Sequence, residues 1–138
     1  MVLTKKITLQ SKGHGEIIDI TPEVQRQLAE TKLSEGTVIL FVTGSTAGIT
    51  TIEYEPGLLA DFKDMWDRII PKDIPYEHDK AWHDGNGHSH CRASLLGASL
   101  VVPFSGKSLA LGTWQQIVMV DFDNKARSRQ IVVQVMGE

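Results

Sequence analysis

Apolar and polar positions alternate loosely from Val2 to Gln10, which predicts an opening strand, and again over the shorter stretch Glu16 to Ile20. Gly13-His14-Gly15 between them reads as a turn, so the two segments are expected to form a hairpin. Thr21-Pro22-Glu23 then opens a helix. Threonine can cap free backbone N–H groups, proline is tolerated at the first helical position, and glutamate complements the helix dipole. This helix is expected to end near Ser34, with Gly36 just beyond it, on a thin apolar face of Val24, Leu28 and Leu33. Val38 to Val42 is continuously apolar, the pattern of a strand covered on both faces. The segment Gly44 to Gly48 turns the chain into another strand, Ile49 to Glu55.

The clearest periodicity follows. Leu58, Leu59, Phe62, Met65, Trp66, Ile69 and Ile70 recur at three- and four-residue steps, predicting an amphipathic helix that packs on the core and stops at Pro71. From 71 to 89 no period is visible, and the segment reads as a long loop rich in Pro, Asp, His and Gly. Loops beyond about 12–15 residues are uncommon in compact domains and often functional. Strands are expected at 98–104, 108–112, 113–122 and 127–136, with turns at Ser105-Gly106 and Asp123-Asn124. Seven to eight mostly antiparallel strands against two main helices make the class α+β. The expected form is a β-sandwich or strongly bent sheet with helices to one side, in a single domain over 1–138.

Composition narrows the partners. A net charge of −3 weighs against wide-footprint nucleic-acid binding, which needs concentrated positive surface to release counterions. No apolar run approaches the roughly 20 residues needed to cross a bilayer, so no membrane partner is expected. The single cysteine, Cys91, cannot form an intrachain disulfide and is expected to be a small buried residue. The amino terminus lacks the apolar core of a signal peptide, and a cytoplasmic location is the default.

Chemistry concentrates between His78 and His90. His78, His83, His88 and His90 lie within thirteen consecutive positions, with Asp79 and Asp84 among them. Imidazole nitrogen and carboxylate oxygen suit Zn²⁺ and similar ions. Were 88–91 extended, His88 and His90 would project to one side as a two-point chelate. The other reading is a polar surface loop. Arg127 and Arg129 share a strand face with Ile131, Val133 and Val135, and are either a fork for phosphate or carboxylate or a surface salt-bridge pair. Arg92 is a third possible anion ligand. Glu53, at a strand end, is either a general base or simply exposed. Ser45 and Thr46 offer hydroxyls in a glycine-flanked turn that could cradle an anion. Trp114 is expected in the core, and Gln115 on the apolar side of its strand, where its amide needs a partner.

Several segments together resemble one family: Tyr76-Glu77-His78-Asp79, Asn86-Gly87-His88-Ser89-His90 running into Arg92-Ala93-Ser94-Leu95-Leu96-Gly97, Val102-Pro103-Phe104, Leu111-Gly112-Thr113-Trp114-Gln115, and the ending from Arg127-Ser128-Arg129. The pattern resembles the YjbQ-like family, whose members are named secondary thiamine-phosphate synthase enzymes. The resemblance implies a homotrimeric α+β sandwich with a histidine-lined site between subunits. It implies a transferase that joins a pyrimidine diphosphate to a thiazole phosphate and releases pyrophosphate. Glu53, His78, Asn86, His90, Gln115 and Arg129 match the family's polar positions, whereas Gly44 stands where many relatives have histidine. On this reading His90 and Glu53 are catalytic, and His78, His88 and His90 hold a divalent ion, Mg²⁺ or Zn²⁺. Thr46, Asn86, Arg92, Gln115, Arg127 and Arg129 bind a small phosphorylated metabolite. The alternatives are a metal-dependent hydrolase of a small phosphorylated or carbonyl substrate, and a non-catalytic trimer that binds a metabolite or metal.

Overall fold

The computed structural model describes all 138 residues. They form eight strands and four helices, in the order β1 (Val2–Ser11), β2 (Glu16–Asp19), α1 (Thr21–Ala29), β3 (Glu35–Thr43), β4 (Ala47–Ile52), α2 (Pro56–Ile69), α3 (Glu77–Trp82), α4 (Gly87–Leu96), β5 (Ser99–Ser105), β6 (Ser108–Leu109), β7 (Gln116–Asp121) and β8 (Arg127–Gly137). The class is α+β, as the sequence pattern indicates. Five strands form one sheet in the order β1-β8-β3-β5-β6 and three form another in the order β2-β7-β4. Every pairing is antiparallel.

Alternation along the strands explains the layering. In the large sheet Val38, Leu40 and Val42 of β3 and Ile131, Val133 and Val135 of β8 point inward. They meet Ile49 of β4 and Ile117 and Met119 of β7, with Val24 and Leu28 of α1 closing one end. The intervening residues of β7, Val118 and Val120, face the other way and pack with Trp66 of α2, Ala93 of α4 and Phe122. The order of layers is therefore large sheet, small sheet, helices, with β7 buried on both faces. Each fully buried aliphatic side chain in these layers contributes about 1.5–3 kcal/mol relative to exposure.

Several local expectations change. β1 and β2 are not a hairpin: β1 pairs with β8 and β2 with β7, so the Gly13–Gly15 turn carries the chain from one sheet to the other. Helix α1 stops at Ala29 because Thr31 ends it. The Thr31 hydroxyl donates to the carbonyl of Leu28 at 2.8 Å and accepts from the Leu33 N–H at 3.3 Å. Thr21 lies inside α1 rather than capping it, and its hydroxyl accepts from the Ile117 N–H at 2.7 Å, tying the helix to β7. Glu55 ends no strand. Its carboxylate caps α2 by accepting from the N–H groups of Gly57 and Leu58, both at 2.8 Å. Cys91 is exposed, and so is Trp114, which lies outside the core because β7 begins only at Gln116.

The largest difference concerns residues 71–89, which hold α3 and the start of α4 instead of a loop. Helix α3 buries none of its residues and so leaves no apolar period to read. Helix α4 buries a mostly polar stripe, His88, Ser89, Arg92 and Ala93. Its first residue, Gly87, donates its N–H to Asp79 Oδ1 at 2.8 Å, and a Cβ there would lie 2.6 Å from that of Tyr76. Only glycine lets α3 and α4 approach this closely.

Candidate metal centre and polar cleft

Helix α3 and the turn after it place His78, Asp79 and Asp84 together, with one ligand atom from each within 4.8 Å of the others. His78 Nδ1 lies 3.4 Å from Asp84 Oδ1 and 3.9 Å from Asp79 Oδ1. That nitrogen is buried and has no hydrogen-bond partner. Both carboxylates are oriented by backbone: Asp79 accepts from Gly87 N–H, and Asp84 from Asn86 N–H at 3.1 Å. His90 of α4 adds a second imidazole, its ring centre 4.4 Å from that of His78.

His88 does not join them. Because 88–91 are helical, residues two apart point about 200° from one another around the axis. His88 turns inward toward Phe62, Trp66 and Arg92, while His90 faces the opposite side. Burial, then the nearby Arg92 charge, pushes the pKa of His88 below the usual histidine range. His83 is exposed and ends α3 in a left-handed conformation, with φ of 55°. The structure therefore does not bring together the expected set of His78, His88 and His90; Asp79, Asp84 and His90 are the groups it places beside His78.

From His90 and Asp84 the surface opens into a polar cleft of about 380 Å³ that runs along the Gly44–Thr46 turn to Arg127 and Arg129. A second lobe of about 400 Å³ shares Gly44, Ser45 and His90 and extends along α4 to Ala98. Beneath the cleft lies a closed hydrogen-bond network. Arg129 makes a bidentate pair with Asp121, Nε to Oδ2 at 2.7 Å and Nη2 to Oδ1 at 2.8 Å, and Asp121 is 0% exposed. Arg129 Nη2 also donates to Thr46 Oγ1, which donates in turn to Asp123 Oδ2 at 2.9 Å. Asp123 further accepts from Asn86 Nδ2 at 3.2 Å and Arg127 Nε at 3.2 Å. Asn86 Oδ1 accepts from Ser89 Oγ and from the Asn124 N–H. Burial alone would raise the Asp123 carboxyl, but hydrogen bonds from Asn86 and Thr46 outweigh it and hold the group below the usual carboxylate range. Bonding to Asp121 likewise raises the pKa of Arg129.

Gly44 has a reason in this network. Its φ is +133°, and a Cβ there would stand 2.6 Å from Arg129 Nη1. The guanidinium occupies the space that any side chain would fill.

Of the residues singled out from sequence, Thr46, Asn86, His90, Arg127 and Arg129 line this cleft and His78 adjoins it. Arg92 lies elsewhere, donating to the Ile70 carbonyl at 2.9 Å and to Asp67 at 3.2 Å. Glu53 and Gln115 are exposed beyond the far ends of β4 and β7: Ile52 pairs with Gln116 there, while Ala47 pairs with Asp121 beside the cleft. Six residues of strand separate the two ends by about 20 Å. Within one chain neither residue reaches the cleft. Gln115, expected on an apolar face, instead bonds Thr51 Oγ1 and the Gly112 N–H. The sequence pattern marks Asp123 only as a turn residue and gives neither Asp121 nor Asp123 a place in the site. The signal was a carboxylate inside the apolar run Ile117–Phe122, which a buried strand tolerates only opposite a cation.

Comparison with known proteins gives the family. A model described as UPF0047 protein YjbQ-like matches residues 5–138. A UPF0047 protein of Archaeoglobus fulgidus is 37% identical over 131 residues, covering 95% of this chain and 99% of that one. The Bacillus subtilis protein YugU is 34% identical over 137 residues, 98% and 100% of the two chains. The crystal structure of a YbjQ-like protein of unknown function from Sulfolobus solfataricus P2 superimposes with a TM-score of 0.94 at 31% identity, covering 100% of this chain and 99% of that one. None of these is described as a thiamine-phosphate synthase, which is a different fold and family, so the transferase activity implied by the resemblance is withdrawn. What stands is the family itself: this chain belongs to the YjbQ-like UPF0047 proteins.

Proposed function

We propose that the cleft is a metal-dependent hydrolytic site for a small phosphorylated or carbonyl substrate, with His78, Asp79, Asp84 and His90 as metal ligands. The observation that carries this reading is the buried, unpartnered Nδ1 of His78, with two carboxylates converging on it beside an open polar cleft. A buried ring nitrogen without a partner is costly unless something binds it. The mixed nitrogen and oxygen donor set favours zinc over magnesium, which takes oxygen ligands almost exclusively. A bound divalent ion would supply Lewis-acid polarisation of the substrate oxygen. The chain's own residues do the rest. Arg127, whose side chain is 45% exposed, reaches for the substrate anion, while Arg129, fixed by Asp121, holds the Gly44–Thr46 wall. His90 lies between the ligand cluster and the cleft, where it can ligate the ion or move a proton at the leaving group.

Two further features fit this reading. The outer face of the large sheet leaves Phe41, Val101 and Met136 exposed. An apolar surface of this kind supports self-association, with the homotrimer implied by the resemblance as its expected form. No helix is long and apolar enough to cross a membrane, and an exposed free thiol at Cys91 suits a reducing, cytoplasmic setting.

Metal analysis of untagged protein, dialysed against zinc and then metal-free buffer, tests the proposal. About one zinc per chain is expected in the wild type, with loss in His78→Ala and Asp84→Asn and retention in His88→Ala. Zinc-dependent cleavage of p-nitrophenyl phosphate or acetate should follow the same order. Wild-type protein that retains no metal would overturn the reading.

A further inference from the structure

On the far side of α4 from the cleft lies a separate cavity of about 220 Å³, partly enclosed between α2, α4 and Phe122. Its apolar wall is a run of three aromatic rings. Trp66 meets Phe62 edge to face at 5.7 Å and Phe122 at 5.0 Å, which fixes the wall in place. Trp66 is only 4% exposed, and its indole Nε1 is buried without an acceptor. The polar lining is cationic in a chain of net charge −3. Lys63, Lys72 and Arg92 border the cavity against one carboxylate, Asp67. The Arg92 side chain is 9% exposed and Asp67 is 66% exposed. A nearly buried guanidinium thus has one carboxylate partner that sits mostly in water. Arg92 Nε is held from behind by the Ile70 carbonyl, which sets the orientation of the guanidinium plane at the cavity wall.

From this geometry we infer that the α2/α4 cavity is a second ligand site, built for a small aromatic carboxylate. Its ring would pack on the Phe62–Trp66–Phe122 wall and its carboxylate would pair with Arg92, with Lys63 and Lys72 at the mouth. Size decides against larger ligands. An apolar cavity of about 150 Å³ accepts benzene, whereas drug-sized ligands need roughly 300 Å³ or more, so one ring with one anionic substituent fits here. A buried, under-neutralised guanidinium favours an anion over a neutral ring, and its planar fork matches a carboxylate. The site does not depend on the metal reading: no ligand of that cluster lines the cavity.

The experiment uses full-length protein in EDTA with Trp82→Phe and Trp114→Phe, both exposed positions, so that Trp66 is the sole indole. Benzoate should change its fluorescence saturably, with a Kd on the order of 1 mM or tighter for a ligand of this size. Arg92→Lys should weaken binding about tenfold, because a point charge replaces the planar fork. Asp67→Asn removes the competing carboxylate and should tighten binding, which keeps the test decisive if Arg92→Lys fails to fold. Absence of saturation by benzoate would overturn the assignment, and so would unchanged affinity in Asp67→Asn. Acetate binding as tightly as benzoate would remove the aromatic wall from the argument and overturn it as well.

Discussion

The Asp121–Arg129 pair offers the most direct test of what supports the cleft. Asp121 is 0% exposed and Arg129 7% exposed, and two hydrogen bonds of 2.7 and 2.8 Å join them. Asp121→Asn keeps the shape and removes the charge, leaving a guanidinium in the interior with only the more distant Asp123 carboxylate, 3.8 Å from Nη2. Breaking a buried pair from one side costs about 3–5 kcal/mol, because the remaining charge loses its compensation. Arg129→Met exposes the same cost from the other side. For a chain of this size, between the small and medium classes, each kcal/mol lowers Tm by about 3–5 °C. Either substitution should therefore lower Tm by roughly 9–25 °C. The double variant, with neither charge buried, should lose clearly less than the sum of the two. Arg127→Met, whose side chain is 45% exposed, is the control and should cost less than about 1 kcal/mol. Urea unfolding of the four proteins at neutral pH, closed as a double-mutant cycle, measures the coupling. Losses that add within about 0.5 kcal/mol would refute the reasoning, since independent sites behave that way.

Three other outcomes follow from named groups. The folded state holds His88 below its ordinary pKa by burial and by Arg92, so the unfolded chain takes up a proton first as pH falls. Stability should be full above about pH 6.5 and decline as the pH drops toward the folded pKa, and His88→Gln should flatten that limb of a urea-midpoint profile. Asp123, also held low, adds a second loss of the same sign below about pH 4. Gly44→Ala combines a φ of +133° with a Cβ 2.6 Å from the locked Arg129 Nη1. It should destabilise by about 1–3 kcal/mol and reduce retained zinc little, as differential scanning calorimetry and metal analysis can show.

The sandwich was legible wherever an apolar period of two or 3.6 matched a buried face. The inward Val38, Leu40 and Val42 and the Leu59–Phe62–Trp66 side of α2 both fall where the pattern put them. Legibility failed where burial is polar or absent. Helix α3 buries nothing and α4 buries His88, Ser89 and Arg92, so a hydrophobicity pattern saw a loop across both. Strand pairing was harder still. The Gly13–Gly15 turn looks like a hairpin turn, yet which sheet β1 and β2 join depends on β8 and β7, about a hundred residues or more away. Most residues chosen for their charge or ring nitrogen lie along the cleft or beside it, but their partners were not visible. Asp121 and Asp123 matter only because β7 ends where Thr46 and Arg129 come together.

The helical state of α4 also decides how many sites the histidine segment builds. In an extended strand, His88 and His90 would face one ion, and the segment would be a single chelate. On a helix, side chains two apart never share a face. A partner for His90 must then come from another element, and α3 supplies it: Gly87 lets the two helices close until the His78 ring stands 4.4 Å from that of His90. His88 is released to the opposite side, where with Arg92, one helical turn on, it lines the aromatic cavity. One ten-residue helix therefore walls two chemically different spaces, a carboxylate- and imidazole-lined cleft on one side and a cationic aromatic cavity on the other. That division makes the two proposals separable: His90→Ala should weaken zinc retention and leave benzoate affinity unchanged, and Arg92→Lys should do the reverse.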